Sequence, residues 1–239
     1  MAGRRDPGRA AILEAIRGAL GRAALSADGA GELDARLRRH PAGLIPAQGK
    51  PKAEARLAQF QAKAEAVACT VERLAGADRV PAAVAEYLRR HNLGPELALA
   101  PEAWLEALPW DRAPMLQLRK GAASGVERVA LTAAFAGVAE TGTLVTLSGP
   151  SHPTTLNFLP EHHLVALKAS QVVGAYEEVW AALRKAGKGR RPALPRALNM
   201  ITGPSRTGDI ELEIQLGAHG PRALHVLLID DEGGDGGQA

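Results

Sequence analysis

Short apolar runs separated by turns fill the chain after Gly94, and they are the feature that most constrains the fold. Several runs are apolar at consecutive positions, as in strands that are covered on both faces. An amphipathic helix, predicted over residues 175–186, lies among them. Strands that alternate with helices predict an α/β domain with a mainly parallel sheet between helical layers. The predicted strands are 97–100, 115–118, 129–131, 143–147, 164–167, 198–201 and 223–229.

The earlier part of the chain has helical periodicity. A first helix is predicted to begin at Pro7, where the missing N–H of proline costs nothing, and to end near Gly21. Residues 21–51 contain scattered glycine and proline, which is typical of a linker or surface arm. From Lys52 a long helix is predicted to reach Leu74, because apolar residues recur at helical spacings. The predicted organisation is an N-terminal helix and linker arm over 1–51, an α/β domain over 52–231 and a disordered tail over 232–239.

Composition excludes several classes of protein. Hydrophobic residues make up 46% of the chain, which is enough to bury a core. Aromatic residues make up 3% and the formal net charge is +3, whereas nucleic-acid binding uses stacking aromatics and concentrated positive charge. No apolar run reaches the roughly 18–20 residues that span a bilayer, and the N-terminus has no convincing export signal. We therefore expect a cytoplasmic protein.

The sequence predicts neither a metal site nor a cofactor held by this chain. Cys69 is the single cysteine, whereas an iron–sulfur cluster needs about four ligands. His162 and His163 are adjacent, so on a strand they would point to opposite faces and could not readily share a metal. No glycine-rich dinucleotide fingerprint follows a predicted strand.

The first of two polar motifs follows an apolar run and consists of Glu140, Thr141, Gly142 and Thr143. A carboxylate, two hydroxyls and a permissive glycine therefore occupy consecutive positions. Gly142 can adopt a positive φ and let backbone N–H groups approach a ligand. Two interpretations stay open. The motif is either a hairpin turn with solvated side chains or the floor of a ligand site, in which Glu140 serves as acid, base, nucleophile or hydrogen-bond acceptor.

The second motif follows the predicted strand 198–201 and contains Ser205, Arg206, Thr207 and Asp209. Ligands of α/β sheets bind beyond the carboxyl ends of strands, and an arginine can hold a carboxylate or phosphate through two hydrogen bonds. Asp209 could cap a following helix, whose free N–H groups would add to an anion site. The alternative is a capped turn in which Arg206 forms a surface ion pair.

Together with Gly217-Ala218-His219-Gly220-Pro221, the two motifs resemble the LUD domain and, more narrowly, the lactate utilization protein C family. The resemblance extends over about residues 94–230. It implies a three-layer α/β/α fold of the ribose-5-phosphate isomerase and CoA-transferase type. It also implies a role in oxidising L-lactate to pyruvate alongside iron–sulfur partner proteins, which would carry the clusters.

The leading hypothesis is a subunit of an L-lactate-oxidising complex with a small-anion pocket between the two motifs. Glu140 would orient or deprotonate a hydroxy acid, Arg206 would hold its carboxylate, and His219 is a candidate proton acceptor. The alternatives are a freestanding transferase- or isomerase-like enzyme acting on a CoA, sugar-phosphate or folate-like ligand, and a structural assembly factor. The basic segment 184–196 is either a solvated loop or a surface that docks an acidic partner or steers an anion.

Overall fold

The computed structural model describes residues 7–21, 25–186, 194–208 and 215–231. By internal contacts the chain divides into two compact units, Met1–Gly43 and Leu44–Ala239. The predicted tail 232–239 lies outside the described residues. Among the helices of the described ranges, none has both the length and the apolar character that crossing a bilayer requires.

The first unit contains helices α1 (Pro7–Ala19) and α2 (Ala27–Arg39). Helix α2 lies within the segment that was predicted to be a linker or surface arm, in which no helix was predicted. Ser26 caps the helix by accepting a hydrogen bond from the backbone N–H of Gly29. An aspartate in the first turn and three arginines in the last turn complement the helix dipole. These local signals stabilise a helix that has no buried residue.

The second unit alternates strands and helices. In chain order they are α3 (Ala53–Ala66), β1 (Thr70–Leu74), α4 (Val80–Arg90), β2 (Glu96–Leu99), α5 (Ala103–Glu106), β3 (Gln117–Lys120), β4 (Val129–Ala133), β5 (Ala136–Val138), β6 (Thr143–Leu147), α6 (Thr155–Phe158), β7 (His162–Lys168), β8 (Val172–Val173), α7 (Tyr176–Ala186), β9 (Leu198–Ile201), β10 (Arg206–Thr207), β11 (Gln215–Leu216) and β12 (Ala223–Ile229).

Two sheets organise this unit. A six-stranded sheet has the order β1-β12-β7-β4-β2-β3, and all its pairings are parallel. A four-stranded mixed sheet has the order β8-β5-β6-β9, and both β5 and β9 are antiparallel to β6. The short strands β10 and β11 pair separately.

Apolar side chains cover both faces of the parallel sheet. Helices α4 and α5 pack on one face. Helix α3 and the inner side of the mixed sheet pack on the other, and α7 covers the far side of the mixed sheet. The predicted α/β class, a mostly parallel sheet flanked by helices, is therefore confirmed. The structure adds a second sheet, which takes the predicted strands 143–147 and 198–201.

The predicted long helix is wrong beyond Ala66, where α3 ends. Ala68 adopts a φ of +67°, which a continuing helix does not allow, and β1 then pairs in parallel with β12. Val71 and Leu74 fit helical spacing in the sequence. On the strand they instead pack on opposite faces of the parallel sheet.

The hairpin of β5 and β6 turns against helix α3. The backbone N–H of Gly142 donates to the carbonyl oxygen of Val138 at 2.9 Å and closes the turn. Gly142 has a φ of +70°, and a Cβ at this position would overlap the backbone nitrogen of Ala64. Both the conformation and the close approach therefore require glycine. The permissive glycine of the first motif anchors the hairpin to the helix.

A cluster of polar rings is buried at the amino ends of β7 and β12, beneath α4. The hydroxyl of Tyr87 lies 2.9 Å from Nδ1 of His162, and Tyr87 also stacks against His225. Nδ1 of His225 lies 2.7 Å from the hydroxyl of Thr70. Its Nε2 is 3.6 Å from a carboxylate oxygen of Glu72, too far for a hydrogen bond. Burial lowers the pKa of His225 to about 4.

We predict that Gly142→Ala destabilises the protein by at least about 2 kcal/mol, because it combines a left-handed φ with a backbone overlap. Urea unfolding measures the change in the free energy of unfolding. The control is Gly94→Ala, where nothing lies within 4 Å of the added methyl group and φ is not positive. Equal stabilities of the two variants would contradict this account of the hairpin.

We predict that the protein loses stability as the pH falls from about 6.5 towards 4. In that window His225 is protonated in the unfolded chain but stays neutral in the native state, because burial lowers its native pKa to about 4. The loss from this residue reaches at most about 1.4 kcal/mol per pH unit. His225→Asn retains a polar atom for Thr70 but does not titrate, so its free energy of unfolding should fall less steeply with decreasing pH.

Candidate functional site

Two loops meet at one edge of the mixed sheet. Strands β5 and β9 both end there, because each pairs antiparallel with β6, and Thr143 at the start of β6 lies beside the two ends. The first loop is the hairpin turn after β5. The second loop turns at Gly203, where φ is +85° and a Cβ would overlap the carbonyl oxygen of Val67, just after α3. Helix α3 therefore positions both loops.

Four hydroxyl groups, which we call the hydroxyl cluster, join the two loops. Oγ1 of Thr143 lies 2.7 Å from Oγ1 of Thr141 in the first loop and 2.7 Å from Oγ1 of Thr202 in the second. The hydroxyl of Tyr176, at the start of α7, lies 2.8 Å from both Thr141 and Thr143. Thr143 is fully buried, Thr141 and Tyr176 are half-buried, and Thr202 is exposed. The cluster connects a buried polar centre to the surface of the second loop.

Glu140 lies on the β8 side of the hydroxyl cluster. Its backbone N–H donates to the carbonyl oxygen of Gly174 at 3.0 Å. Its half-buried carboxylate packs beside Gly49, where an added Cβ would lie 3.1 Å from Oε2. Because β6 lies between β5 and β9, Glu140 is separated from the second loop by a full strand.

A cavity of about 260 Å³ lies between the second loop and the amino end of the parallel sheet. The segment 219–221 and the end of α6 complete its wall, and apolar side chains such as Met200 and Leu224 also contact it. In the described part of the chain its polar side chains are Asn157, His163, Thr202, Ser205 and His219.

His163 is the most unusual group in the cavity wall. The residue is 1% exposed, and its Nε2 lies 2.8 Å from the hydroxyl of Thr132 on β4. Its Nδ1 is buried and has no hydrogen-bond partner among the described residues. Burial lowers the pKa of His163 to about 3, so the ring is neutral at pH 7. A buried nitrogen without a partner is costly, which makes Nδ1 a candidate contact for a ligand.

The second loop is tied to the segment that carries His219. The backbone N–H of Ser205 donates to the carbonyl oxygen of Pro221 at 2.8 Å, and the N–H of Gly217 donates to the carbonyl oxygen of Ser205 at 3.0 Å. His219 itself is exposed at the cavity mouth. These bonds place the hydroxyl of Ser205 and the imidazole of His219 on one wall.

Arg206 follows Ser205 but lies outside the cavity lining. Its side chain is exposed, and its charge acts on Cys69, which is buried between α3 and β1. Burial raises the pKa of the Cys69 thiol to about 11, although a hydrogen bond from the Gly203 backbone and the guanidinium of Arg206 oppose the rise. The thiol therefore stays protonated at neutral pH. Thr207 is buried, and Asp209 lies outside the described residues.

The structure thus brings only part of the predicted site to the cavity. Ser205 and His219 line it, whereas Glu140, Thr141, Gly142, Thr143 and Arg206 do not. The catalytic and binding roles given to these residues stay predictions.

Sequence reasoning missed His163, Asn157 and Thr202. The adjacent histidines were expected on opposite faces of a strand, and they do lie so, with His162 bonded to Tyr87 and His163 to Thr132. What the sequence did not signal is that a cavity reaches His163. Among the described residues, no three His, Cys, Asp or Glu side chains are arranged to hold a metal ion.

Comparisons with known proteins identify the family. Residues 57–229 match the LUD domain family. The chain is 36% identical over 104 residues to a lactate utilization protein C from Halalkalibacterium halodurans, which covers 43% of this chain and 44% of that protein. It is also 36% identical over 93 residues to an uncharacterized protein from Neisseria meningitidis, covering 39% and 38% of the two chains. The chain thus spans about two fifths of the length of these relatives.

A solved structure supports the fold. A DUF162 family protein from Deinococcus radiodurans superposes with a TM-score of 0.54 at 20% identity, covering 75% of this chain and 99% of that one. The family match covers well over half of the chain and includes every element from α3 to β12 except the first residues of α3. The chain belongs to the LUD domain family.

Proposed function

We propose that this protein acts in lactate utilization, as the subunit of a lactate-oxidising complex that binds the small hydroxy acid in the cavity beside His163. The relatives named lactate utilization protein C support the role. The observation that carries the binding site is His163, which lines the cavity and whose buried Nδ1 has no hydrogen-bond partner among the described residues. A ligand hydroxyl would supply the missing hydrogen bond.

The chemistry of the cavity suits a small polar ligand. A neutral imidazole can either accept or donate at Nδ1, depending on which tautomer the hydroxyl of Thr132 favours. Ser205 offers a hydroxyl in the cavity wall. Because the pKa of His163 is held near 3, His163 would position the ligand and would not hold its proton. The exposed His219 is the better placed candidate for accepting a proton at the cavity mouth.

The redox step needs a group that side chains do not provide. Oxidising a 2-hydroxy acid to a keto acid releases two electrons, and cofactors usually accept them. We propose that iron–sulfur partner proteins carry this group, in the cytoplasm. The basic segment 184–196, of which residues 187–193 lie outside the described residues, is the candidate surface for docking them.

We predict that L-lactate binds the purified chain and raises its melting temperature. His163→Gln retains a polar atom for Thr132 but removes the ring nitrogen that has no partner, so its affinity for lactate should fall about tenfold. The matched control is His162→Asn on the opposite face, which keeps a polar atom for Tyr87 and should bind lactate like the wild type. Calorimetry measures both dissociation constants. Stabilisation by CoA or a sugar phosphate in place of lactate would favour a freestanding enzyme.

We predict that the isolated chain is colourless and does not reduce a dye with lactate, whereas a mixture with its iron–sulfur partners does. The visible spectrum and lactate-dependent dye reduction test this directly. Raising the salt concentration should weaken the association if the basic segment contributes to docking. A flavin or cluster spectrum, or turnover, from the chain alone would replace the subunit role with a self-sufficient oxidoreductase.

A further inference from the structure

The number of hydrogen bonds in the hydroxyl cluster determines which oxygen donates in the bond between Thr143 and Thr202. Thr141, Thr143 and Tyr176 form a closed triangle in which each pair of oxygens is 2.7–2.8 Å apart. A hydroxyl carries one proton and so donates one hydrogen bond. Three bonds among three hydroxyls therefore use all three of their protons.

The fourth bond of the cluster must then be donated by Thr202. Thr143 has already donated its proton within the triangle, so the 2.7 Å contact between Thr143 and Thr202 can form only if Thr202 is the donor. The buried environment of Thr143 favours this arrangement, since an unmade bond there would be costly.

The consequence appears at the cavity, whose wall includes Thr202. With its proton directed at Thr143, the hydroxyl of Thr202 can offer a ligand only lone pairs. A ligand O–H can donate to it. A carbonyl or carboxylate oxygen at the same place would face another acceptor, with no proton between them.

Building on the proposed function, we propose that the cavity distinguishes a small 2-hydroxy acid from the corresponding 2-keto acid through Thr202, and that Tyr176 is a positioning residue for this selectivity although it does not line the cavity. The hydroxy acid has a donor for Thr202 and the keto acid has none. Oxidation of the bound substrate therefore removes the hydrogen bond that held it, and the product binds less tightly than the substrate.

Removing one hydroxyl from the triangle should allow Thr143 to donate to Thr202, so that Thr202 no longer has to donate to Thr143. In Tyr176→Phe, three hydroxyls remain with two bonds between them, so one proton is free and Thr202 can turn its own towards the cavity. Thr141→Val removes a different hydroxyl of the triangle and also leaves three hydroxyls with two hydrogen bonds between them. Both substitutions preserve the shape of the side chain, and neither residue lines the cavity. Thr202→Val removes the acceptor itself.

The test is the ratio of the dissociation constants for L-lactate and pyruvate, measured by calorimetry on the full chain. The wild type should prefer lactate by about tenfold. Tyr176→Phe and Thr141→Val should bring the ratio close to one, mainly by tightening the binding of pyruvate. Thr202→Val should bring it close to one by weakening the binding of lactate. A purely structural role of Tyr176 would weaken both ligands equally, and an unchanged ratio in both triangle variants would overturn the proposal.

A second probe pair separates this inference from the proposed function. If neither acid binds, lactate is not the ligand of this cavity and the proposed function fails. The preference of Thr202 for a ligand that donates a hydrogen bond is then tested with 2-propanol and acetone. Binding of each is followed by the NMR shifts of the Thr202 and Gly203 amides. The wild type should bind the alcohol in preference to the ketone, and Tyr176→Phe should lose the preference. Equal binding by the wild type would overturn the inference on its own.

Discussion

Strand β12 pairs along its length with β7 on one side and over five residues with β1 on the other. It therefore joins the beginning of the α/β unit to its middle, and the buried faces on both sides of the sheet include its side chains. Leu227 and Ile229 pack beneath α4, while Val226 and Leu228 pack against α3. The same alternation places Leu224 in the cavity wall and His225 in the ring cluster. The cavity wall and the ring cluster therefore both depend on the pairings of β12.

The candidate site buries polar groups in uncharged forms. His163 is neutral because burial disfavours the imidazolium, the thiol of Cys69 stays protonated for the same reason, and the hydroxyl cluster satisfies its buried member without any charge. Charged groups, such as Arg206, remain at the surface of the loops. Burying neutral groups costs less desolvation free energy than burying charged ones. The preference for one ligand over another then depends on which hydrogen-bonding groups donate and which accept.

The sequence predicted the strands well where apolar runs were continuous, as in β7 and β12, because burial on both faces leaves no helical pattern. It failed at β1, since Val71 and Leu74 also fit the spacing of a helix face. Apolar runs also do not say which sheet a strand joins, so a mainly parallel sheet was predicted and the second sheet, which contains β6 and β9, was not. The cavity could not be predicted because its lining combines residues from the end of α6, β7, β9 and the segment before β12, which only the tertiary packing brings together. Glu140 was grouped with the second motif because both follow strands, but β6 lies between them.

Strands β1 and β12 are far apart along the chain, and the cavity is complete only after β12 has joined the sheet. Pairings between distant segments are intrinsically slow to form, because the entropy cost of closing a long loop precedes the gain from contacts. Until β12 docks, Leu224 is absent from the cavity wall and Pro221 cannot hold the backbone of Ser205. A partly folded chain therefore offers no ligand site, and a ligand in this cavity binds only molecules that have completed the central sheet.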